Sequence, residues 1–135
     1  MLESAIKALV PSQVRVFLRL TVRKPAYHFY RWDVDKLTGS AILRYWFWNH
    51  DHSRRNRKRL FVAEVETLLT GALNQGEISR KDFEQCCPRT NRDGECGFAV
   101  LVGILEALEI VGHSERRGVY VIVDPEKAVR LLGCQ

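Results

Sequence analysis

GFAVLVGILEALEIVGHSERRGVYVIV, residues 97–123, is the stretch whose reading decides the fold. Phe98, Leu101, Val102, Leu105 and Leu108 recur at helical spacing and make a wide apolar stripe that has to be buried. Val119–Val123 is β-branched and aromatic, as strands are, and Arg116, Arg117 and Gly118 supply the turn before it. The stretch predicts one apolar helix, a short connection and a β-hairpin.

Working outward, the pattern stays tight on both sides. Phe61, Val65, Leu68, Leu69, Ala72 and Leu73 form the stripe of a first helix, closed by Asn74-Gln75-Gly76. Ser79 reads as an N-cap with Asp82 at the third helical position, and Ile78 and Phe83 match a hydrophobic staple. That second helix is short and ends at Cys87-Pro88, after which Arg89–Gly94 is expected to be a polar loop. Downstream, Asp124 caps and Pro125 opens a terminal helix with Ala128, Val129, Leu131 and Leu132 as its stripe and Gly133 at its end. Helix, short helix, long helix, hairpin is the order of a winged-helix domain. "LEALEIVGHS", a basic turn and "GVYVIV" resemble the last helix and wing of that family. The resemblance covers roughly the last 75 residues, a compact single-core unit. It implies three helices and a β-hairpin wing over residues 54–135. Winged helices bind DNA, bind RNA or serve as assembly surfaces, so the fold alone does not choose among these roles.

Residues 1–53 read as an N-terminal extension. Leu2, Ile6, Leu9 and Val10 share a helical face that Pro11 terminates. Val14–Val22 alternates with period two: Val14, Val16, Leu18, Leu20 and Val22 point one way, Arg15, Phe17, Arg19, Thr21 and Arg23 the other. A helix capped by Ser12 is the competing reading. Lys24-Pro25 makes a turn and Tyr27–Trp32 returns as the second strand of a hairpin. Thr38–Asn49 is expected to be a helix, aromatic nearly all round at Arg44-Tyr45-Trp46-Phe47-Trp48. It either glues the two parts of the chain together or exposes Trp46 or Trp48 as an anchor for a partner. His50–Ser53 and the run Arg54-Arg55-Asn56-Arg57-Lys58-Arg59 are expected to form a linker. The fold class is therefore α+β, a hairpin and helix joined to a C-terminal winged helix.

Composition narrows the function. The 135 residues are 46% hydrophobic and carry a net charge of +5, which favours an acidic partner such as nucleic acid without demanding one. No apolar run spans a bilayer and no signal peptide is evident. A nuclear or cytoplasmic, non-secreted protein with reduced Cys86, Cys87, Cys96 and Cys134 is expected.

The long helix is a poor reader of DNA bases. Opposite its core stripe lie Ala99, Gly103, Glu106 and, nearby, Glu109, with no Lys or Arg. Small Ala99 and Gly103 suit the close approach of a protein partner instead. Phosphate contacts are expected from Arg54, Arg55, Arg57, Lys58 and Arg59, from Arg89 and Arg92 before the long helix, and from Arg116 and Arg117 in the wing. For each, the alternative is a solvated surface cation. Arg15, Phe17, Arg19 and Arg23 beside the aromatics of Tyr27–Trp32 give a second hint, because interleaved basic and aromatic side chains on a sheet hold single strands.

Other chemistries are weaker. Cys86, Cys87, Cys96, His113 and the His50-x-His52 pair lack zinc-knuckle spacing, so no metal and no cofactor is expected. Asp93-Gly94-Glu95-Cys96-Gly97-Phe98 resembles the nucleophile turn of papain-like cysteine proteases and ovarian-tumour deubiquitinases. His113, however, would sit roughly 25 Å from Cys96 at helical rise. The expectation is a non-catalytic subunit of a nucleic-acid-handling complex with low sequence specificity. It would dock a protein through Trp46, Trp48, Ala99 and Gly103, as a homo- or hetero-oligomer. A pure protein–protein adaptor is the alternative.

Overall fold

The computed structural model describes residues 1–10, 16–18 and 27–133. Over these residues the chain is α+β, with six helices and two small antiparallel sheets. In chain order these are α1 (Leu2–Leu9), β1 (Val16–Leu18), β2 (Tyr27–Val34), β3 (Ala41–Trp48), β4 (Arg55–Phe61), α2 (Val62–Gln75) and β5 (Glu77–Ile78). There follow α3 (Arg80–Cys86), α4 (Pro88–Asp93), α5 (Cys96–Ala107), β6 (Val111–His113), β7 (Tyr120–Ile122) and α6 (Pro125–Leu132). The strand expected over Val14–Val22 is described only at β1, and Arg15, Arg19 and Arg23 lie outside the described residues.

The first correction concerns Ala41–Trp48, which is strand and not helix. Its two ends are fixed by turn chemistry. The Asp35 carboxylate accepts from the Leu37 amide and the Thr38 hydroxyl, and Gly39 takes a left-handed φ of 72°, which closes the β2–β3 turn. At the other end Asn49 Oδ1 accepts from the Ser53 and Arg54 amides, closing a second turn. Between them Leu43, Tyr45 and Phe47 point inward while Arg44, Trp46 and Trp48 point outward. An all-round aromatic helix is really a strand with aromatics on both faces.

The second correction follows from the first. The basic run is not a linker but most of β4, paired antiparallel with β3 through Trp46↔Arg57 and Arg44↔Arg59. Residues 53 and 54, where the two parts of the chain are expected to join, lie in the turn of this hairpin. The larger sheet runs β1-β2-β3-β4. Its inner face carries an aromatic cluster in which Tyr27 meets Tyr45 and Phe47 edge-on, with centroids 5.7 and 5.6 Å apart. Helices α2 and α5 pack against β3 and β4. Buried apolar side chains from Leu2 to Ala128 form one connected cluster.

The C-terminal half follows the sequence closely. Gly76, at φ 81°, ends α2, and the Ser79–Asp82 capping box opens α3 with Ile78 and Phe83 both buried. Asp124 caps α6, with Pro125 in its first turn. The return strand is one residue shorter at each end than expected and pairs on both sides, in the order β5-β7-β6. The third correction is Arg89–Gly94, expected as loop, which supplies most of α4. Glu64 of α2 caps it from a distance: its carboxylate accepts from the Arg89 and Thr90 amides at 2.9 and 2.8 Å. Thr90 in turn accepts from the Phe61 amide, and Asp93 from the Arg59 amide, so α4 lies along the free edge of β4.

Candidate nucleic-acid interface

The outer face of the larger sheet collects the basic and aromatic side chains of three strands. Antiparallel register sets them in rows about 6.8 Å apart. One row holds Trp48 and Arg55, the next His28, Trp46 and Arg57, and the third Arg31, Arg44 and Arg59. Tyr30, two residues from His28, shares this face and lines the recesses between the rows, and a β-bulge between Phe29 and Arg31 brings Arg31 to it as well. The same irregularity sends Trp32 inward, where its indole N–H donates to the Val10 carbonyl at 2.8 Å.

The middle of the face is a column of planar groups. His28 stacks on Trp46 with centroids 4.1 Å apart and planes 8° from parallel. The Arg55 guanidinium lies 4.5 Å from the Trp46 ring and 5.4 Å from Trp48. Trp46 meets Trp48 edge-on, and His52 in the adjoining turn stacks on Trp48. Aromatic rings and guanidinium planes are both surfaces on which nucleobases stack.

Charge on the face is unbalanced. Asp33 takes bonds from Arg44 and from Arg31, the latter at 2.7 Å, and Asp93 is bidentate with Arg59 at 2.9 Å. The Arg44 bond, with that of Arg31, holds the Asp33 carboxyl below its ordinary value against the effect of burial. Burial works to raise Asp93, but its bonds from Arg59 outweigh it and hold that carboxyl low too. Both carboxylates are ionised at neutral pH. Arg55 and Arg57, both exposed, have no carboxylate partner among the described residues. Lys58 donates to the Asp93 carbonyl.

Other predicted contacts fall elsewhere. Arg89 is bound to Asp35 at 2.5 Å and lies over the Phe61 ring, which makes it a clasp between α4 and the β2–β3 turn. That bond holds the Asp35 carboxyl at about 2. Arg116 is paired with Glu77, while Arg54 and Arg92 are exposed at other edges. Arg117, Ala99 and Gly103 come together in a separate groove of about 530 Å³ between α5 and the β6–β7 hairpin, also lined by Phe98, Val102 and Tyr120. Trp46 and Trp48 are not part of it.

Cys96 and His113 line that same groove without meeting as a pair. His113 bonds Glu106 at 3.3 Å, and Glu106 is ten residues along α5 from Cys96, about 15 Å at helical rise. Cys96 instead lies 3.7 Å from the Tyr45 hydroxyl. Burial, then the Cys96 thiol, raises both Tyr27, to about 12, and Tyr45, so the two phenols stay protonated. Among the described residues no three His, Cys, Asp or Glu side chains converge as metal ligands would, and no helix is long and apolar enough to cross a membrane.

The sequence reading missed Arg31, Arg44, His28 and Tyr30 as members of a shared face. The signal for them lies in the pairing of β2 with β3, which a helical reading of Ala41–Trp48 hides. Compared with known protein families, characterised proteins and solved structures, the chain matches none.

Proposed function

We propose that this protein binds single-stranded nucleic acid across the outer face of its larger sheet, with low sequence specificity. The observation that carries the proposal is the His28–Trp46–Arg55 stack set between rows of arginines on one sheet surface. Bases would stack on the aromatic and guanidinium planes, and phosphates would lie against Arg31, Arg44, Arg57 and Arg59. The face of a four-stranded sheet is broader than the helix or two-stranded ribbon that a major groove admits, so a splayed single strand suits the surface better than a duplex. Phosphate gripping thereby moves from the hairpin turn, where Arg116 is engaged by Glu77, to the β-strand arginines.

The C-terminal half supports a winged-helix reading at the level of element order: α2, α3, α5 and the β6–β7 hairpin succeed one another as in that family, with α4 inserted. In this arrangement the bare face of α5 is the seat for a protein partner, because Ala99 and Gly103 line the groove beside the hairpin. A pure adaptor that uses only this groove is the second reading.

Fluorescence anisotropy with a labelled oligothymidylate and a duplex of equal length separates the two. Tighter binding of the single strand, accompanied by quenching of tryptophan emission, is the expected result. Absence of binding at low salt would leave the adaptor, and equal binding of both forms without quenching would overturn the sheet-face reading.

A further inference from the structure

We infer that one end of this face receives a terminal phosphate, so that the protein recognises a phosphorylated end of a single strand; this rests on the sheet-face reading above. Two adjoining recesses, both lined by Tyr30 and Arg57, divide the surface. The smaller, about 170 Å³, adds Trp46 and Arg55. That is the order of volume that admits one aromatic ring, for which about 150 Å³ suffices. The larger, about 430 Å³, is bordered by Arg31, Arg44, Arg57, Lys58 and Arg59, with Tyr30 as its one aromatic wall. The face thus runs from a ring-sized slot into a cationic basin.

Charge decides what the basin suits. Its five cations face the two carboxylates Asp33 and Asp93, already engaged by Arg31, Arg44 and Arg59, which leaves a surplus of about three positive charges. An internal phosphodiester brings one negative charge. A terminal phosphomonoester brings about −1.5 to −2 at neutral pH and three oxygens able to accept several bonds at once. The monoester is the better match.

Geometry closes the far end. The row beyond the basin is Asp33, Ile42 and Phe61; Ile42 and Phe61 are buried, and the Arg59 and Arg89 guanidiniums lie over the Phe61 ring. Among the described residues no exposed aromatic ring follows in that direction, and the Arg59 and Arg89 guanidiniums are held by Asp93 and Asp35. A strand stacked along Trp48 and Trp46 therefore ends at Arg44 rather than continuing past it.

The test compares one single-stranded oligonucleotide carrying a 5′-phosphate, a 3′-phosphate or hydroxyls at both ends, by anisotropy competition against the wild type, Arg31→Gln and Trp46→Ala, with inorganic phosphate as a further competitor. One phosphorylated end is expected to bind at least about tenfold more tightly than the hydroxyl form, and the two phosphorylated oligonucleotides identify which end. Arg31 is exposed and borders only the basin. Arg31→Gln should therefore weaken the phosphorylated oligonucleotide more than the hydroxyl form and so shrink the preference, and an unchanged melting temperature verifies its fold. Equal affinity for all three ends, with binding still weakened by Trp46→Ala, overturns the end inference but keeps the sheet-face reading. A preference untouched by Arg31→Gln, or full competition by inorganic phosphate at the strand's own affinity, also overturns it. Binding insensitive to Trp46→Ala overturns the sheet-face reading itself.

Discussion

Replacing Trp46 by alanine and Arg57 by glutamine should affect binding in different ways, and the structure fixes by how much. Each neutralised phosphate contributes about −0.7 to the slope of log affinity against log salt for a single strand. The face presents Arg31, Arg44, Arg55, Arg57 and Arg59 against Asp33 and Asp93. If only the surplus of about three charges acts, the slope is about −2; if all five arginines reach phosphate, about −3.5. Raising salt from about 50 to about 200 mM then costs about 20-fold to about 100-fold in affinity. Arg57, exposed and without a carboxylate partner among the described residues, should take about 0.7 from the slope when changed to glutamine, with little effect on stability. Trp46 carries no charge but sits in the stack. Trp46→Ala should weaken binding by about 1–3 kcal/mol, roughly 5- to 150-fold, at every salt concentration, with the slope unchanged. Anisotropy titrations at four or more salt concentrations on the three proteins read both quantities. A wild-type slope near zero, or a Trp46→Ala variant that alters the slope and not the intercept, would refute the division of labour between stack and arginines.

Three predictions concern the scaffold. Arg89 holds Asp35 at about 2, below the unfolded value near 3.9; the stability it contributes is fully present above about pH 4 and is lost as pH falls towards 2. Thermal midpoints should be flat above about pH 5 and fall below pH 4, and Asp35→Asn should lower the plateau and flatten that fall; an unaltered fall would show the ion pair to be irrelevant. Gly97 allows α5 to approach α4, and an added Cβ would meet the Thr90 methyl at 2.9 Å and Phe83 at 3.1 Å. Gly97→Ala should therefore cost about 1–3 kcal/mol in denaturant titrations, with Thr90→Ser recovering part by removing the methyl. Glu109 ends the turn after α5 at φ 63°, so Glu109→Gly should raise stability by about 0.5–1 kcal/mol, measured the same way, whereas a loss would mean its side chain does more than tolerate the turn.

The C-terminal half was legible because its signals are local and contrasting. Ser79 and Asp82, Gly76, Asp124 and Pro125 each mark a helix end through chemistry within four residues. The N-terminal sheet was not, because period two is visible only when the two faces differ. In β3 aromatic Tyr45 and Phe47 alternate with aromatic Trp46 and Trp48, and in β4 Arg55, Arg57 and Arg59 alternate with Asn56 and Lys58. Either strand alone reads as helix or linker; their pairing makes the face. Helix α4 is a proline and five polar residues whose cap, Glu64, is 24 positions before its first residue, Pro88, and no local pattern announces that bond. The arginines at 55, 57 and 59 can be named as candidates from the sequence, but the stack with His28 depends on a register set by the Asp35 and Asn49 turns.

Helix α4 has one more consequence. A bordering β-strand rich in amide donors is an invitation for a neighbouring molecule to add its own strand, and repetition of that step produces fibres. Here the amides of Arg59 and Phe61, which face away from β3, are already taken by the Asp93 carboxylate and the Thr90 hydroxyl. Runaway polymerisation through this border is thereby blocked where the strand is most apolar. The small helix beside the cationic basin also guards a surface full of β-forming aromatics against its own aggregation.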